Sequence, residues 1–273
     1  MTVLGLGSYG VAWSIGVPGF EQPHTPMDAF ALLDFADALG LKLVQIADNL
    51  PLDALSSDAH HRLRDDAARR GMAVEVGTRG IQPEHLHQYI GIAAFFNSPI
   101  LRVVVDTRTH HPEPDEVVTL VRDALPALRQ ASITLAIENH DRFQARTLAE
   151  IIEAVDDPHV GICLDTVNSF GALEGPDVVL AALGRHVVNL HVKEFVVRRL
   201  PHNMGFEVTG APAGQGMLDV PWLLDHLRGG RDFNAIIETW LSPRETMAAT
   251  TAQEQDWVRQ SVTYLRTLIP QLN

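Results

Sequence analysis

The sequence predicts an α/β fold, a (β/α)8 TIM barrel that forms a single domain over residues 1–273. Eight short apolar runs rich in Val, Ile and Leu recur along the chain, as expected for strands buried on both faces of a parallel sheet. Amphipathic segments of helical length lie between these runs, and no Pro/Gly/Ser-rich linker divides the chain. Strands that alternate with helices in this way are typical of a closed barrel.

The apolar runs define the predicted strands, and prolines mark many of the predicted helix starts. A proline is tolerated in the first turn because the first N–H groups of a helix have no partner within it. The strands are 3–7 (VLGLG), 41–47 (LKLVQIA), 72–77 (MAVEVG), 100–106 (ILRVVVD), 133–138 (ITLAIE), 160–165 (VGICLD), 187–192 (VVNLHV) and 234–239 (NAIIET). The prolines are Pro26, Pro51, Pro83, Pro114, Pro176, Pro221 and Pro243.

Capping residues predict where two of the helices begin. In the first, Thr25 is placed to cap the helix, Asp28 lies in its positively polarised first turn, and Gly40 ends it. In the fifth, Thr147 and Glu150 have the spacing of a capping box.

An open, doubly wound sheet is the alternative fold. Its support is the segment GLGSYG, in which Gly5, Gly7 and Gly10 match the glycine pattern of a dinucleotide-binding turn. The residues that follow reach Pro18 without opening a convincing helix, and Asp48 is only a distant candidate for an acidic ribose contact. The barrel is therefore the favoured prediction.

Composition and charge exclude several classes of function. The chain has 46% hydrophobic residues and a formal net charge of −13, so nucleic acid and acidic membrane surfaces are unfavourable partners. No run reaches the roughly 18 apolar residues of a membrane span. The N-terminal residues lack the basic and apolar regions of a signal peptide. The single cysteine, Cys163, excludes a disulfide framework, and we expect a reducing, cytoplasmic setting.

Four consecutive predicted strands end in side chains that can bind a divalent metal. These are Glu138, Asp165, His191 and Glu238. In a (β/α)8 barrel the chemistry takes place at the carboxyl ends of the strands. The first two intervals between these residues fit one strand–helix repeat, and the third leaves room for an extra loop over residues 195–218.

Side-chain alternation within the strands supports convergence of the four residues on the barrel axis. An inward His191, for example, implies that Asn189 and Val187 face the axis and that Leu190 and Val188 face the helices. Three carboxylates and one imidazole form a mainly hard donor set, which suits Mn²⁺, Mg²⁺ or Co²⁺ and could take Zn²⁺. Without a cation, three clustered carboxylates would repel one another strongly.

Five short motifs resemble those of the sugar isomerase/epimerase superfamily with a xylose-isomerase-like barrel. They are IENH (137–140), CLDTVNS (163–169), LHVKE (190–194), GQGMLD (214–219) and IIETW (236–240). The resemblance covers the whole chain. It implies that Glu138, Asp165, His191 and Glu238 bind one divalent metal ion, and that Glu138 and Glu238 flank the substrate and transfer protons.

Two departures weaken a narrower assignment within the superfamily. Its ketose 3-epimerases commonly have a histidine three residues after the aspartate of the sixth strand, where this chain has Asn168. They also have an arginine soon after the histidine of the seventh strand, and here the nearest are Arg198 and Arg199. The related endonucleases for abasic DNA need further histidines, whereas this chain has Thr78 and Asp106 at the ends of strands three and four.

The resemblance predicts a metal-dependent isomerase or epimerase of a keto-sugar or related polyol derivative, acting through an enediolate, with Glu138 and Glu238 as acid and base. The alternative is a dehydratase of a keto-inositol or a dehydroshikimate-like substrate, since elimination shares the first step. A catalytically inactive, sugar-binding barrel is the third reading. The predicted partner is thus a small molecule, and a homo-oligomer is compatible with the sequence.

Six further side chains are candidate substrate contacts. Four of them also have a plain structural explanation: a loop histidine for His140, a surface lysine for Lys193, and a core or interface position for the two tryptophans. Residues 200–216 are expected to form a loop over the site. The candidates are Trp13, His140, Asn168, Lys193, His202 and Trp240.

Overall fold

In the computed structural model, which describes residues 2–269, eight parallel strands close into a barrel. The neighbours around the barrel are β1-β10-β7-β6-β5-β4-β3-β2, so the predicted barrel is confirmed and the open sheet is wrong. The strands are β1 (Leu4–Gly7), β2 (Leu43–Ile46), β3 (Ala73–Arg79), β4 (Ile100–Val104), β5 (Thr134–Glu138), β6 (Val160–Asp165), β7 (Val187–Val192) and β10 (Asn234–Ile237).

Helices pack around the barrel and bury its outer face in one continuous apolar core. Proline occupies one of the first two positions of α4, α5, α7 and α8, as predicted. The helices are α1 (Ala12–Ile15), α2 (Ala29–Ala38), α3 (Ser57–Arg69), α4 (Pro83–Phe95), α5 (Pro114–Ala131), α6 (Ala145–Val155), α7 (Pro176–Leu183), α8 (Val220–Leu227) and α9 (Met247–Leu265). Among the described residues, no helix is both long enough and apolar enough to span a membrane.

Both predicted caps are replaced by other side chains. The cap of α2 is Asp28, whose carboxylate accepts a hydrogen bond of 2.9 Å from Ala31 N, so the helix begins later than Thr25 predicted. At α6 the carboxylate of Glu174, from the following loop, accepts from Ala145 N at 2.7 Å. A cap supplied across the fold in this way cannot be recognised from local spacing.

A bulge between β6 and β7 changes which side chains face the axis. Ile162 pairs with Val187, but the next residue of β6, Cys163, pairs with Asn189, so Val188 is the extra residue. Val188 packs inside the barrel and Val187 joins the outer core, which reverses the prediction for this pair. The shift brings His191 level with Asp165.

The segment predicted as a loop over residues 195–218 contains an antiparallel hairpin. Its strands are β8 (Glu194–Arg199) and β9 (Phe206–Ala211). The carboxylate of Glu194, which is buried, accepts backbone hydrogen bonds from Phe195 N at 3.0 Å, Gly214 N at 3.0 Å and Leu218 N at 2.8 Å. One side chain thus ties the hairpin to the GQGMLD segment.

We expect Glu194→Gln to lower the free energy of unfolding by about 2 kcal/mol, because an amide NH₂ would face backbone N–H groups that need an acceptor. Urea denaturation measures the change, and Glu207→Gln, on an exposed position of the same hairpin, is the matched control. A Glu194→Gln midpoint equal to that of the control would contradict the role assigned to the carboxylate.

Candidate active site

Four side chains meet at the carboxyl ends of neighbouring strands. Glu138, Asp165 and His191 lie on β5, β6 and β7, and Glu238 directly follows β10. His191 Nδ1 lies 3.2 Å from Glu138 Oε2, 3.3 Å from Glu238 Oε1 and 3.8 Å from Asp165 Oδ2. All four are buried, each at most 3% exposed. The structure therefore brings the four predicted ligands together in one ligand cluster.

The buried donor atoms of this cluster fit a divalent cation. Four of its buried atoms are Asp165 Oδ2, His191 Nδ1 and both carboxylate oxygens of Glu238. Apart from the Lys193 ammonium, which lies near Asp165 Oδ2 and Glu238 Oε2, they have no hydrogen-bond partner among the described residues. Such atoms are rare in native proteins and need a reason. One donor atom each from Asp165, His191 and Glu238 lies within 4.8 Å of the other two. The described residues therefore include a buried donor set that could hold a metal ion.

The electrostatic environment of His191 also favours a bound cation. Burial lowers the pKa of His191, but Glu238 and Glu138 outweigh burial and raise it. The three carboxylates thus create a negative potential strong enough to favour an extra positive charge inside the barrel. A bound divalent cation would supply that charge.

The Nδ1 atom of His191 is the ring nitrogen that faces the three carboxylates. Its Nε2 lies 2.7 Å from Oε1 of Gln45 on β2, and an amide oxygen can only accept. Nε2 therefore carries a hydrogen, and Nδ1 is the nitrogen left to bind a cation.

The two glutamates are not equivalent. Both oxygens of Glu138 are occupied: Arg102 Nε of β4 contacts Oε2, and Asn168 Nδ2 donates to Oε1 at 2.8 Å. Burial raises the pKa of Glu138, but Arg102 and His191 outweigh it and hold the pKa below its usual value. Glu138 is thus held ionised and is a weak base. Among the described residues, the carboxylate of Glu238 has one ion-pair partner other than His191, the ammonium of Lys193.

Lys193 bridges two of the carboxylates. Its Nζ lies 2.7 Å from Asp165 Oδ2 and 2.9 Å from Glu238 Oε2. Thr166 fixes the backbone of Lys193, since its hydroxyl accepts from Lys193 N at 2.9 Å and donates to Lys193 O at 2.7 Å. Burial lowers the pKa of Lys193, but the acids raise it well above its usual range, so the ammonium stays charged.

The two tryptophans predicted as substrate contacts have structural hydrogen bonds. Trp13 is buried, donates its ring N–H to Leu241 O at 2.8 Å and meets Phe20 edge to face at 5.2 Å. Trp240 donates to Glu194 O at 2.8 Å. Both polar ends are occupied, so their predicted role in binding substrate would depend on ring faces alone.

The two predicted histidines lie farther along their loops. His140 follows β5, with Nδ1 3.6 Å from Asp141 Oδ2. His202 lies at the exposed turn of the hairpin, where its Nδ1 accepts from Met204 N at 3.2 Å. Asn168 and Lys193 are the two of the six candidates with bonds to the ligand cluster.

Several polar residues of the site were missed from the sequence. Arg102 of β4 links Glu138 to Asp48, with Nη1 2.9 Å from Asp48 Oδ1. Gln45 and Glu75 lie on β2 and β3 among apolar neighbours. A usable signal existed, because a polar residue inside an apolar run must find a buried partner.

A profile of the family described as xylose isomerase-like TIM barrel matches residues 12–268. Among characterised proteins, 3-oxo-isoapionate decarboxylase of Pectobacterium atrosepticum is 34% identical over 271 residues, which is 99% of this chain and 97% of the relative. This similarity covers nearly the whole length of both chains.

The fold of this chain resembles those of several solved structures. The D-psicose 3-epimerase of Clostridium cellulolyticum H10 superposes with a TM-score of 0.69 at 15% identity, covering 99% of this chain and 100% of that chain. A xylose isomerase-like TIM barrel protein of Mycobacterium smegmatis, in complex with magnesium, has a TM-score of 0.64 at 16% identity, with 96% of each chain covered. At these identities the likeness shows the fold alone.

Proposed function

This chain belongs to the xylose isomerase-like TIM barrel family, and we propose that it is a metal-dependent decarboxylase of a 3-oxo sugar acid. The observation that carries the proposal is the inequality of the two glutamates. Arg102 and Asn168 occupy both oxygens of Glu138. The carboxylate of Glu238 is contacted at Oε2 by the Lys193 ammonium at 2.9 Å, whereas its Oε1 accepts no hydrogen bond from the described residues. The geometry thus offers one proton carrier rather than two.

One proton carrier suits decarboxylation better than epimerisation. Epimerisation removes a proton from one face of a carbon and returns one to the other, which favours two bases. A 3-oxo acid needs no base, because the bond to the carboxylate breaks and its electron pair moves towards the carbonyl oxygen. One proton, taken up from solvent, then replaces the lost CO₂. The 34% sequence identity to a 3-oxo-isoapionate decarboxylase, over nearly the whole chain, supports this choice.

The four ligands would hold one divalent cation, with Mg²⁺ or Mn²⁺ suiting the hard oxygen donors and Zn²⁺ also acceptable. When bound, the cation polarises the carbonyl and an adjacent hydroxyl and stabilises the charge that develops as CO₂ leaves. Glu138 acts as an ionised ligand, held by Arg102. Lys193 donates to the developing oxyanion, and Glu238 delivers the proton to carbon.

The chain offers few other cations near the cluster for the substrate carboxylate. Arg102 already forms ion pairs with Glu138 and Asp48. The Nε atom of Arg79 lies 3.0 Å from Oδ2 of Asp48. Keeping the leaving carboxylate away from strong ion pairs favours its loss, because a paired carboxylate would be stabilised in the ground state.

The test is incubation with 3-oxo sugar acids and Mn²⁺ in D₂O, with CO₂ measured and the product examined by NMR. We expect stoichiometric CO₂ release and one deuterium at the carbon that carried the carboxylate. Deuterium incorporation into ketoses without CO₂ release would instead establish the predicted isomerase or epimerase, and an unsaturated product the predicted dehydratase. If no substrate reacts, the enzyme proposal fails and the sugar-binding barrel gains support.

A further inference from the structure

Beneath the ligand cluster lies a layer of four polar side chains, of which three are buried and the fourth, Asn234, is partly buried. It is centred on Glu75 of β3, which is 1% exposed. Three amides donate to its carboxylate: Gln45 Nε2 at 3.0 Å, Asn189 Nδ2 at 2.9 Å and Asn234 Nδ2 at 2.6 Å. Gln45 Nε2 also donates to Asn189 Oδ1 at 3.0 Å. The amides come from β2, β7 and β10, so the layer crosses the barrel.

The ionised carboxylate of Glu75 determines the hydrogen-bond directions in this layer. An ionised carboxylate has acceptors and no donor, so each amide must turn its NH₂ group towards Glu75. Burial raises the pKa of Glu75, and the three amide donors offset only part of that rise. The ionised form is instead indicated by the geometry, because three NH₂ groups point at the two oxygens. A proton on either oxygen would face an NH₂ group. Gln45 can therefore present only its oxygen to the other side, where it meets His191 Nε2 at 2.7 Å.

We propose that Glu75 is a positioning residue that, through the amide of Gln45, fixes the ring hydrogen of His191 on Nε2 and leaves Nδ1 free for the metal. The inference rests on the proposed metal site. Partners behind a metal-binding histidine commonly set its tautomer and its affinity for the metal. Here the control extends one residue further, to an acid that touches neither the cation nor the histidine.

Glu75→Gln tests this because it keeps the shape of the side chain and adds one NH₂ group. Gln45 and Asn189 both donate to Oε2 of Glu75, and Asn234 donates to Oε1. Asn234 is held in its orientation because its Oδ1 accepts from Val3 N at 3.3 Å, so we expect the new NH₂ group at the Oε2 position, where Gln45 and Asn189 turn together. If Gln45 turns, its NH₂ meets His191 Nε2, and the ring hydrogen moves to Nδ1, where it occupies the position of the cation. We expect Mn²⁺ affinity, measured by calorimetry, to fall about 10- to 100-fold.

The exchanged pair Glu75→Gln with Gln45→Glu provides the rescue. A glutamate at position 45 accepts from His191 Nε2, and a glutamine at 75 donates to that glutamate, while Asn189 turns to complete the layer. We expect the pair to recover most of the lost Mn²⁺ affinity. A loss in the single variant that the pair does not recover would overturn the proposal in favour of a merely structural role, as would unchanged affinity in Glu75→Gln.

A measurement on the unmodified protein covers the case in which Glu75→Gln does not fold. In the metal-free protein at alkaline pH, ¹⁵N NMR should find the neutral His191 ring hydrogen on Nε2. A hydrogen on Nδ1 would overturn the proposal. Neither readout involves substrate, so failure of the decarboxylase proposal and failure of this one are distinguishable.

Discussion

Replacement of Glu238 by glutamine is expected to lower kcat about 10³-fold, within the range that one general acid or base contributes. The amide cannot carry the proton that replaces CO₂. It also weakens the metal site, because one of three carboxylate charges is lost from a cluster centred on His191 Nδ1, which lies 3.3 Å from Glu238 Oε1. Two effects are therefore combined, and the experiment must separate them.

The separation uses metal titration. Mn²⁺ affinity of Glu238→Gln should fall, yet saturating Mn²⁺ should restore occupancy without restoring turnover. Glu245→Gln, an exposed glutamate in the loop that follows, is the matched control and should behave as the wild type. A Glu238→Gln enzyme that regains near-normal kcat at saturating metal would show that Glu238 is a ligand only and that the proton comes from elsewhere.

The barrel and the positions of the four ligands at the strand ends could be predicted because both depend on local sequence patterns. Apolar runs indicate strands buried on both faces, and the last inward residue of each run lies at the carboxyl end where sites form. Glu138, Asp165, His191 and Glu238 are all of this kind, and the structure brings them within a few ångströms of one another.

The partners of these ligands could not be predicted in the same way. Arg102 and Glu138 are 36 residues apart and meet only because β4 and β5 pair side by side. The sequence shows an arginine in an apolar run but not which acid neutralises it. That choice decides which glutamate is a weak base, and so the reaction proposed for the site changes from epimerisation to decarboxylation.

The bulge at Val188 and the hairpin of β8 and β9 were missed for related reasons. Strict alternation assumes one residue for one along a strand pair, and an extra residue is visible only once both strands are aligned. The run FVVRR has strand propensity, but local sequence does not show that it pairs with Phe206–Ala211. Nor does it show that Glu194 binds Gly214 N and Leu218 N, which lie beyond both strands.

Replacement of Lys193 by methionine is expected to change catalysis and metal binding in opposite directions. The ammonium lies 2.7 Å from Asp165 Oδ2 and 2.9 Å from Glu238 Oε2, so it neutralises two of the groups that a cation would use. Its removal should tighten Mn²⁺ binding. The oxyanion loses a charged donor, which typically lowers kcat about 10²- to 10³-fold.

Methionine keeps the length of the buried stem while removing the charge, so large changes in packing are not expected. Lys42, the other lysine of the chain, is the matched control, because it pairs with Asp37 on the exposed surface. Lys42→Met should leave kcat and Mn²⁺ affinity unchanged. If Lys193→Met loses metal binding together with activity, the ammonium supports the folded ligand cluster rather than the reaction. If it tightens binding but leaves kcat intact, another group stabilises the oxyanion. Only tighter binding with slower turnover fits the role assigned to Lys193.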